Sequence, residues 1–352
     1  MATVSFKCAN CGGELIFDPA SGKYKCEYCI SLFSQQELDA MEPDESTEQK
    51  MQESLNDMDV KSGDAVIYTC PSCGAEIITD ATTAATFCYY CHNPVILSGR
   101  LDGEYLPDKI IPFEITKEEA IKKFLHFVGK KKFVPKAFFN KKQIELISGV
   151  YFPYWNYNVE VESEMDGSAR KVRSWTANDI RYTETKHYHI SRKGVVSLSH
   201  LSENALKKAN AELAMGVLPY YFEKMKDFNM GYLSGFLAEK RDIEKENVKG
   251  RMESNAKKYA EIMMRDTIEG YSGVSLDSSK VRFRHGKWLY CLLPVWTITY
   301  KGKDDKIYFY SMNGQTGEVC GELPIDKKKL AIVSCMVSVA VLVLGLIGGF
   351  LL

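Results

Sequence analysis

Apolar and polar residues alternate along this chain with periods that change from segment to segment. From Met1 to about Phe33 short apolar–polar alternations are punctuated by paired cysteines, and the same pattern returns from about Ala65 to Gly99. Between the copies, residues 34–64 set Glu37, Asp39, Glu42, Asp44, Glu45, Glu48, Glu53, Asp57, Asp59 and Asp64 against Lys50 and Lys61 alone. Such a stretch buries little and reads as an extended, partly helical linker. Ala120, Phe124, Phe127 and Val128 then recur at helical spacing behind Thr116 and Glu119, a capping-box pair, and predict a helix. Trp155, Tyr157, Val159 and Val161 alternate with Asn156, Asn158, Glu160 and Glu162, the period of a half-buried strand, and more strands are expected through Ile190.

The stretch 202–271 reads as helical, and within it Val248, Met252, Tyr259 and Met263 recur at near-heptad intervals among charges. Residues 288–300 (WLYCLLPVWTITY) return to an unbroken apolar run, expected of a strand buried on both faces. IYFYSM leads into Asn313-Gly314 and Thr316-Gly317, residues that tolerate positive φ, and EVCGEL follows, so a hairpin is predicted.

Leu330 to Leu352 carries no charged residue. At ~1.5 Å of rise per residue the run covers roughly 34 Å, enough for a hydrocarbon core about 30 Å thick. Lys327, Lys328 and Lys329 precede it, so the expectation is a tail-anchored, single-pass protein of the cell membrane with residues 1–329 in the cytoplasm. Gly345 and Gly349 form one GxxxG match, a hint of homo-oligomers through this helix.

The fold class predicted is α+β. It comprises two small N-terminal four-cysteine zinc ribbons (1–33 and 65–100) joined by the acidic linker, and a larger mixed α+β domain (101–325) with a helical insert at about 202–271. A basic flank and transmembrane helix (326–352) close it. The 45 basic and 46 acidic side chains nearly cancel, which removes a global pull on nucleic acid or anionic lipid. The start, MATVSFKCANCGG, has no basic region followed by an apolar one, so the 11 cysteines are read as facing a reducing cytosol, where clustered pairs serve as metal ligands.

Cys8 and Cys11 are followed by Cys26 and Cys29, and Cys70 and Cys73 by Cys88 and Cys91, with fourteen residues between the pairs in both copies. Two CxxC knuckles point four thiolates at one ion, and tetrahedral zinc fits that donor set, so two zinc ions are expected. With sulfur in all four positions no place is left for an activated water, which makes the sites structural and not catalytic. Rubredoxin-like iron is the competing metal. Cys88-Tyr89-Tyr90-Cys91-His92 also matches the haem-attachment pattern, but its cysteines already have partners in Cys70 and Cys73. Cys291 and Cys320 read as inert core thiols.

Neither ribbon carries a basic stripe able to neutralise several phosphates, which argues against nucleic acid. Lys130–Lys132 and Lys141–Lys142 read as solvated helix faces. No phosphate loop, nucleophile–base pair or convergent carboxylates can be read, so no enzyme is predicted. His187 and His189 share a strand face but lack a third ligand. The aromatic stretches around Trp155 and Trp296 read as core.

YFPYW (Tyr151 to Trp155), LPVW (Leu293 to Trp296), NGQTGEVCGELP (Asn313 to Pro324), the double ribbon and the apolar end together resemble the bacterial YdjG-like, TFIIB-type zinc-ribbon membrane proteins. The resemblance covers nearly the whole chain, and the eight ribbon cysteines carry over position by position. It implies a role beside phage-shock-protein-A-like and SPFH-domain proteins in envelope or membrane stress. The function expected is a membrane-anchored adaptor whose ribbons recruit a cytoplasmic protein partner and whose residues 330–352 sit in the lipid bilayer. The alternative is a membrane-tethered nucleic-acid-binding or transcription-regulating protein.

Overall fold

A computed structural model describes residues 5–40, 66–70, 76–79, 82–88, 93–97, 100–101, 103–135, 144–207, 216–301 and 307–351. It is a mixed α+β fold that divides into two compact units, one of Met1–Phe152, Leu206–Lys240 and Leu292–Leu352, the other of Pro153–Ala205 and Arg241–Cys291.

The first unit opens with a three-stranded antiparallel sheet, β1 (Leu15–Asp18), β2 (Lys23–Cys26) and β3 (Leu32–Phe33). Helix α1 (Gln35–Asp39) follows directly, inside what composition reads as linker. Its cause is local: the Ser34 hydroxyl accepts from the Glu37 N–H, the Glu37 carboxylate accepts from the Ser34 N–H, and Leu38 is buried. The rest of the acidic stretch, 41–64, lies outside the described residues. Strands β4 (Val66–Thr69) and β5 (Glu76–Thr79) pair antiparallel.

The large sheet takes β6 (Thr83–Phe87), β7 (Pro94–Ile96) and β8 (Lys109–Ile110). Helix α2 (Lys117–Gly129) comes next and has the expected Thr116–Glu119 capping box, with Ala120, Phe124 and Val128 buried. After it run the long β9 (Ser148–Ala177) and β10 (Ile180–Asn204), then β11 (Lys226–Asp227) and β12 (Leu237–Glu239). Within 202–271 the described residues include the α-helix α3 (Lys245–Asp266). Strand β13 (Gly273–Lys301) and the hairpin β14 (Ile307–Asn313) with β15 (Val319–Gly321) complete the sheet, and α4 (Lys327–Leu351) follows. The strand order is β11-β8-β13-β9-β12-β6-β7, with β10 beside β9 and β14 beside β13.

The first unit's core is aromatic. The Phe113 ring stacks on Phe236 with centroids 4.2 Å apart and meets Tyr151 and Trp296 at 5.0 Å. A Cβ at Gly314 would stand 2.6 Å from the Phe113 ring, so the hairpin turn passes there only as glycine. Asn313, fully buried, donates to the Val217 and Pro219 carbonyls and accepts from the Gln315 and Thr316 N–H groups, which fixes the turn.

In the second unit, Trp155, Tyr157, Val159 and Val161 are buried as their alternation requires. Helix α3 buries Val248, Met252, Ala256, Ala260 and Met264, whereas Tyr259 and Met263 are exposed. The buried stripe recurs every fourth residue, and two of its members are alanines, small enough to let the helix lie close to its neighbours. The Arg241 guanidinium lies 5.1 Å from the Trp155 centroid and 5.5 Å from that of Tyr290 and pairs with Glu244. From Arg170 to His189 every residue of the β9–β10 hairpin is exposed.

The terminal helix corrects the membrane expectation. Helix α4 forms, but among the described residues no helix is long and apolar enough to cross a membrane. Its first turn carries Lys327, Lys328 and Lys329. The transmembrane element of the fold, the tail-anchored reading, and the placement in the cell membrane with the N-terminal part in the cytoplasm are therefore not supported. The Gly345–Gly349 match falls on side chains outside the described residues.

Candidate metal centre

Two turns build the N-terminal cysteine site, and they share one hydrogen-bond plan. In the first, the Cys8 N–H donates to the Gly13 carbonyl at 2.7 Å and the Gly12 N–H to the Cys8 carbonyl at 2.8 Å. In the second, the Cys26 N–H donates to Ser31 at 2.9 Å and the Ile30 N–H to Cys26 at 3.0 Å. Both turns need a left-handed residue just after the second cysteine, and Gly12 (φ 74°) and Ile30 (φ 64°) occupy that place. Glycine takes this conformation freely; a β-branched residue does so at a cost of about 1–3 kcal/mol. The hairpin that joins the turns closes at Gly22 (φ 65°), whose N–H meets the Asp18 carbonyl while the Asp18 carboxylate accepts from the Ala20 and Ser21 N–H groups.

The sulfur atoms of Cys8, Cys11, Cys26 and Cys29 all lie within 4.8 Å of one another. Cys8 and Cys29 are 3.5 Å apart, as are Cys11 and Cys26. A tetrahedron of sulfurs about 2.3 Å from a zinc ion has edges of roughly 3.8 Å, so the cluster fits the ion with little adjustment. Cys8 and Cys26 are buried, Cys11 and Cys29 exposed. The four thiols are electrostatically unequal. The Ser31 hydroxyl and N–H hold the Cys29 thiol down at about 6, and Cys11 helps. For Cys11 the Gly13 N–H favours the thiolate but is outweighed by the sulfurs of Cys29 and Cys26 and by desolvation, which push it up to about 12. Four sulfurs this close cannot all be anionic without a cation among them, and the donor set is one that could hold a metal ion.

The ribbon also leans on the rest of its unit. The Phe17 ring meets Tyr24 at 5.6 Å and Tyr232 at 5.2 Å, both edge-on. The Phe17 N–H donates to the Ser234 carbonyl at 3.0 Å, and the Ser234 hydroxyl donates to the Leu15 carbonyl. Gly235 (φ 89°) comes against Ile16, and burial pushes the Tyr24 phenol well above its usual range while its hydroxyl donates to Gln35. Tyr28 is 73 % exposed, Ile30 61 % and Leu32 49 %.

Of the second cysteine set, Cys70 and Cys88 share a buried cluster with Tyr68, Val95 and Leu97. The Cys88 N–H donates to the Asn93 carbonyl at 2.9 Å, the same five-residue bond that closes both turns of the first ribbon. Cys73 and Cys91 lie outside the described residues, so one four-cysteine site is seen and a second is not. His187 and His189 stand exposed on β10, with His189 4.0 Å from Asp166, and join no metal cluster among the described residues. Cys291 is buried and Cys320 half-buried. What the cysteine spacing alone misses is the strained Ile30, the hydroxyl of Ser31 and the docking face on Tyr232. Only the first had a sequence signal: aligning CANCGG with CEYCIS puts isoleucine where the turn wants glycine.

No protein-family model matches the chain, and no solved structure does. The chain is similar to a protein of Bacillus subtilis (strain 168) named "Uncharacterized protein YdjG", with 31 % identity over 334 residues, which covers 93 % of this chain and 92 % of that protein. A likeness of that extent makes this chain a member of the YdjG family.

Proposed function

We propose that this chain is a zinc-ribbon adaptor in which each four-cysteine ribbon closes around one structural zinc ion, two in all, and the first ribbon offers an apolar patch to a protein partner. The observation that carries the reading is Ile30. A β-branched residue in a left-handed turn costs stability, glycine would relieve it, and yet the side chain is exposed to solvent, as are those of Tyr28 and Leu32 close by in sequence. Strain retained at an exposed apolar position is explained by what it presents, not by what it stabilises. The closed sulfur set supports a structural and non-enzymatic metal, because no ligand position remains for a reacting water. The partner class is the one the resemblance implies, a phage-shock-protein-A-like or SPFH-domain protein.

The test is co-purification of candidate partners of those two classes with the wild-type chain, Ile30→Gly and Tyr28→Ser, with zinc measured in each. The reading expects two zinc ions in all three chains and loss of one partner from both variants. Retention of every partner by Ile30→Gly and Tyr28→Ser, with the metal in place, would refute it. Copies captured only through nucleic acid, and released by nuclease, would favour the nucleic-acid alternative instead.

A further inference from the structure

A second site lies in the first unit and shares no residue with the cysteine ribbon. The end of α2, the segment after it and the segment between β15 and α4 enclose an open groove of about 570 Å³. That is within the range of small-molecule sites, roughly 300–1,000 Å³. Its floor is apolar: Phe127, Phe133, Val134, Leu323, Pro324 and Leu330 line it. Its rim is cationic, with Lys130, Lys131 and Lys132 in succession.

The groove is built and not merely left between loops. The Asp326 N–H donates to the Phe133 carbonyl at 2.7 Å and ties one wall to the other. The Asp326 carboxylate is taken up at the start of α4, where it accepts from the Lys329 N–H at 3.1 Å, and no acidic side chain is among the described lining residues. Phe127 is held from behind by Tyr310, centroids 5.6 Å apart, and the Lys131 ammonium lies 5.6 Å from the Phe127 ring centre. Cations at a helix C-terminus are favoured by the helix dipole, and that alone accounts for lysines after Gly129. It does not account for the apolar channel they border.

The two halves of the site specify its ligand. Lysine stems lie along apolar surface while their ammonium groups stay in water, where they meet a carboxylate or phosphate. An uncharged hydrocarbon would leave the rim unmatched, and a small hydrophilic anion would leave the floor wet. We propose that this groove binds a single-chain anionic amphiphile, a long-chain fatty acid carboxylate in its simplest form, with the chain on Phe127, Phe133 and Leu323 and the head among the three lysines.

The experiment titrates the zinc-loaded full chain with 11-(dansylamino)undecanoic acid and follows dansyl emission. Saturable binding is expected, displaced by palmitate but not by butyrate, which lacks the tail, nor by hexadecyltrimethylammonium, which carries the opposite head. Replacing Lys130, Lys131 and Lys132 together by Gln, all of them exposed, is expected to weaken probe binding by about tenfold or more and to flatten its salt dependence. Leu323→Trp, which fills the groove, should abolish it. Thermal melting shows whether that variant folds; if it does not, the lysine variant decides. No saturable binding, or unchanged affinity in the lysine variant, overturns the site, the latter because the probe then rests on exposed apolar side chains of α4 such as Ile332 and Val341. Equal displacement by the cationic amphiphile overturns it too. So does competition by phosphatidylglycerol vesicles without competition by palmitate, which would mark a bilayer contact.

Discussion

The cysteine ribbon and the far end of the β9–β10 hairpin are both short antiparallel pairs too small to bury a core, and they are held in opposite ways. In the ribbon, β1 and β2 are clamped at one end by four sulfurs fit for a metal and on one face by Phe17 and Tyr24 against Tyr232. At the hairpin end the described residues leave the strands exposed, and what holds them is paired side chains. Trp175 stacks on Tyr182 directly opposite, centroids 5.7 Å apart and planes 15° off parallel. The Arg173 guanidinium stands 5.8 Å from the Trp175 ring, and the Ser174 and Thr183 hydroxyls are 3.1 Å apart. The turn is Asn178-Asp179, both left-handed at φ 49° and 63°, which matches the twist of the strands. One small hairpin is thus tied to a cysteine cluster able to hold an ion and to a docking face, the other to its own cross-strand pairs. The difference predicts which perturbation each will feel.

Metal removal should separate them most sharply. Chelation, or Cys26→Ser, is expected to cost the ribbon binding energy on the order of 10 kcal/mol, because in so small a module metal affinity is folding energy. Hydrogen exchange would then show loss of protection over β1 and β2, with β9 and β10 unchanged; equal loss in both would break the contrast. Phe17→Ala comes next. It removes a buried ring (3 % exposed) from the docking face and should cost the ribbon about 3 kcal/mol even with metal bound, read as a lower melting temperature of the metal-loaded chain.

Thiol chemistry sharpens the picture of the metal-free cluster. With Cys29 held at about 6 and Cys11 pushed up to about 12, alkylation at pH 7 should label Cys29 first, although both are exposed. After allowance for the weaker nucleophilicity of the more acidic thiol, the lead is about two orders of magnitude. The folded thiolate of Cys29 lies below its ordinary 9.0, so its contribution to stability is complete above pH 9 and is lost as the pH falls through 6. Bound metal should protect all four cysteines and be released on acidification; peptide mass spectrometry after iodoacetamide follows both.

The smallest effects fall on single side chains. Trp175→Ala should loosen the hairpin end by about 1 kcal/mol, seen as faster exchange there, and leave the metal untouched. Ile30→Gly should act in the other sense, steadying the ribbon by about 1 kcal/mol as backbone strain is relieved. A ribbon made less stable by that change would mean that Ile30 is packed for stability and not displayed.

Local chemistry was the legible part of this molecule. The cysteine spacing named the four cysteines that the fold brings together, the Thr116–Glu119 pair marked the start of α2, and the unbroken apolar run at 288–300 marked the buried part of β13. Each rests on neighbours in sequence or on a fixed spacing. What lay beyond reach depends on distant partners. Strands β9 and β10 run on through polar residues because each pairs with the other, and no apolar period announces that. The face of α3 was misjudged because small residues, Ala256 and Ala260, and not the larger Tyr259 and Met263, face inward. The docking of Phe17 on Tyr232 joins positions far apart in the chain. The terminal run was read on its apolarity and its lysine flank, yet among the described residues no helix is long and apolar enough to cross a membrane.

The most direct test of the account is a zinc-edge X-ray absorption spectrum of the full chain carrying Cys70→Ser and Cys88→Ser, which leaves the first cluster as the remaining four-cysteine site. The account predicts one zinc per chain with four sulfur neighbours at about 2.3 Å and no light-atom ligand. A nitrogen or oxygen in the first coordination shell, or an iron spectrum in place of zinc, would contradict the closed structural site on which the adaptor reading stands.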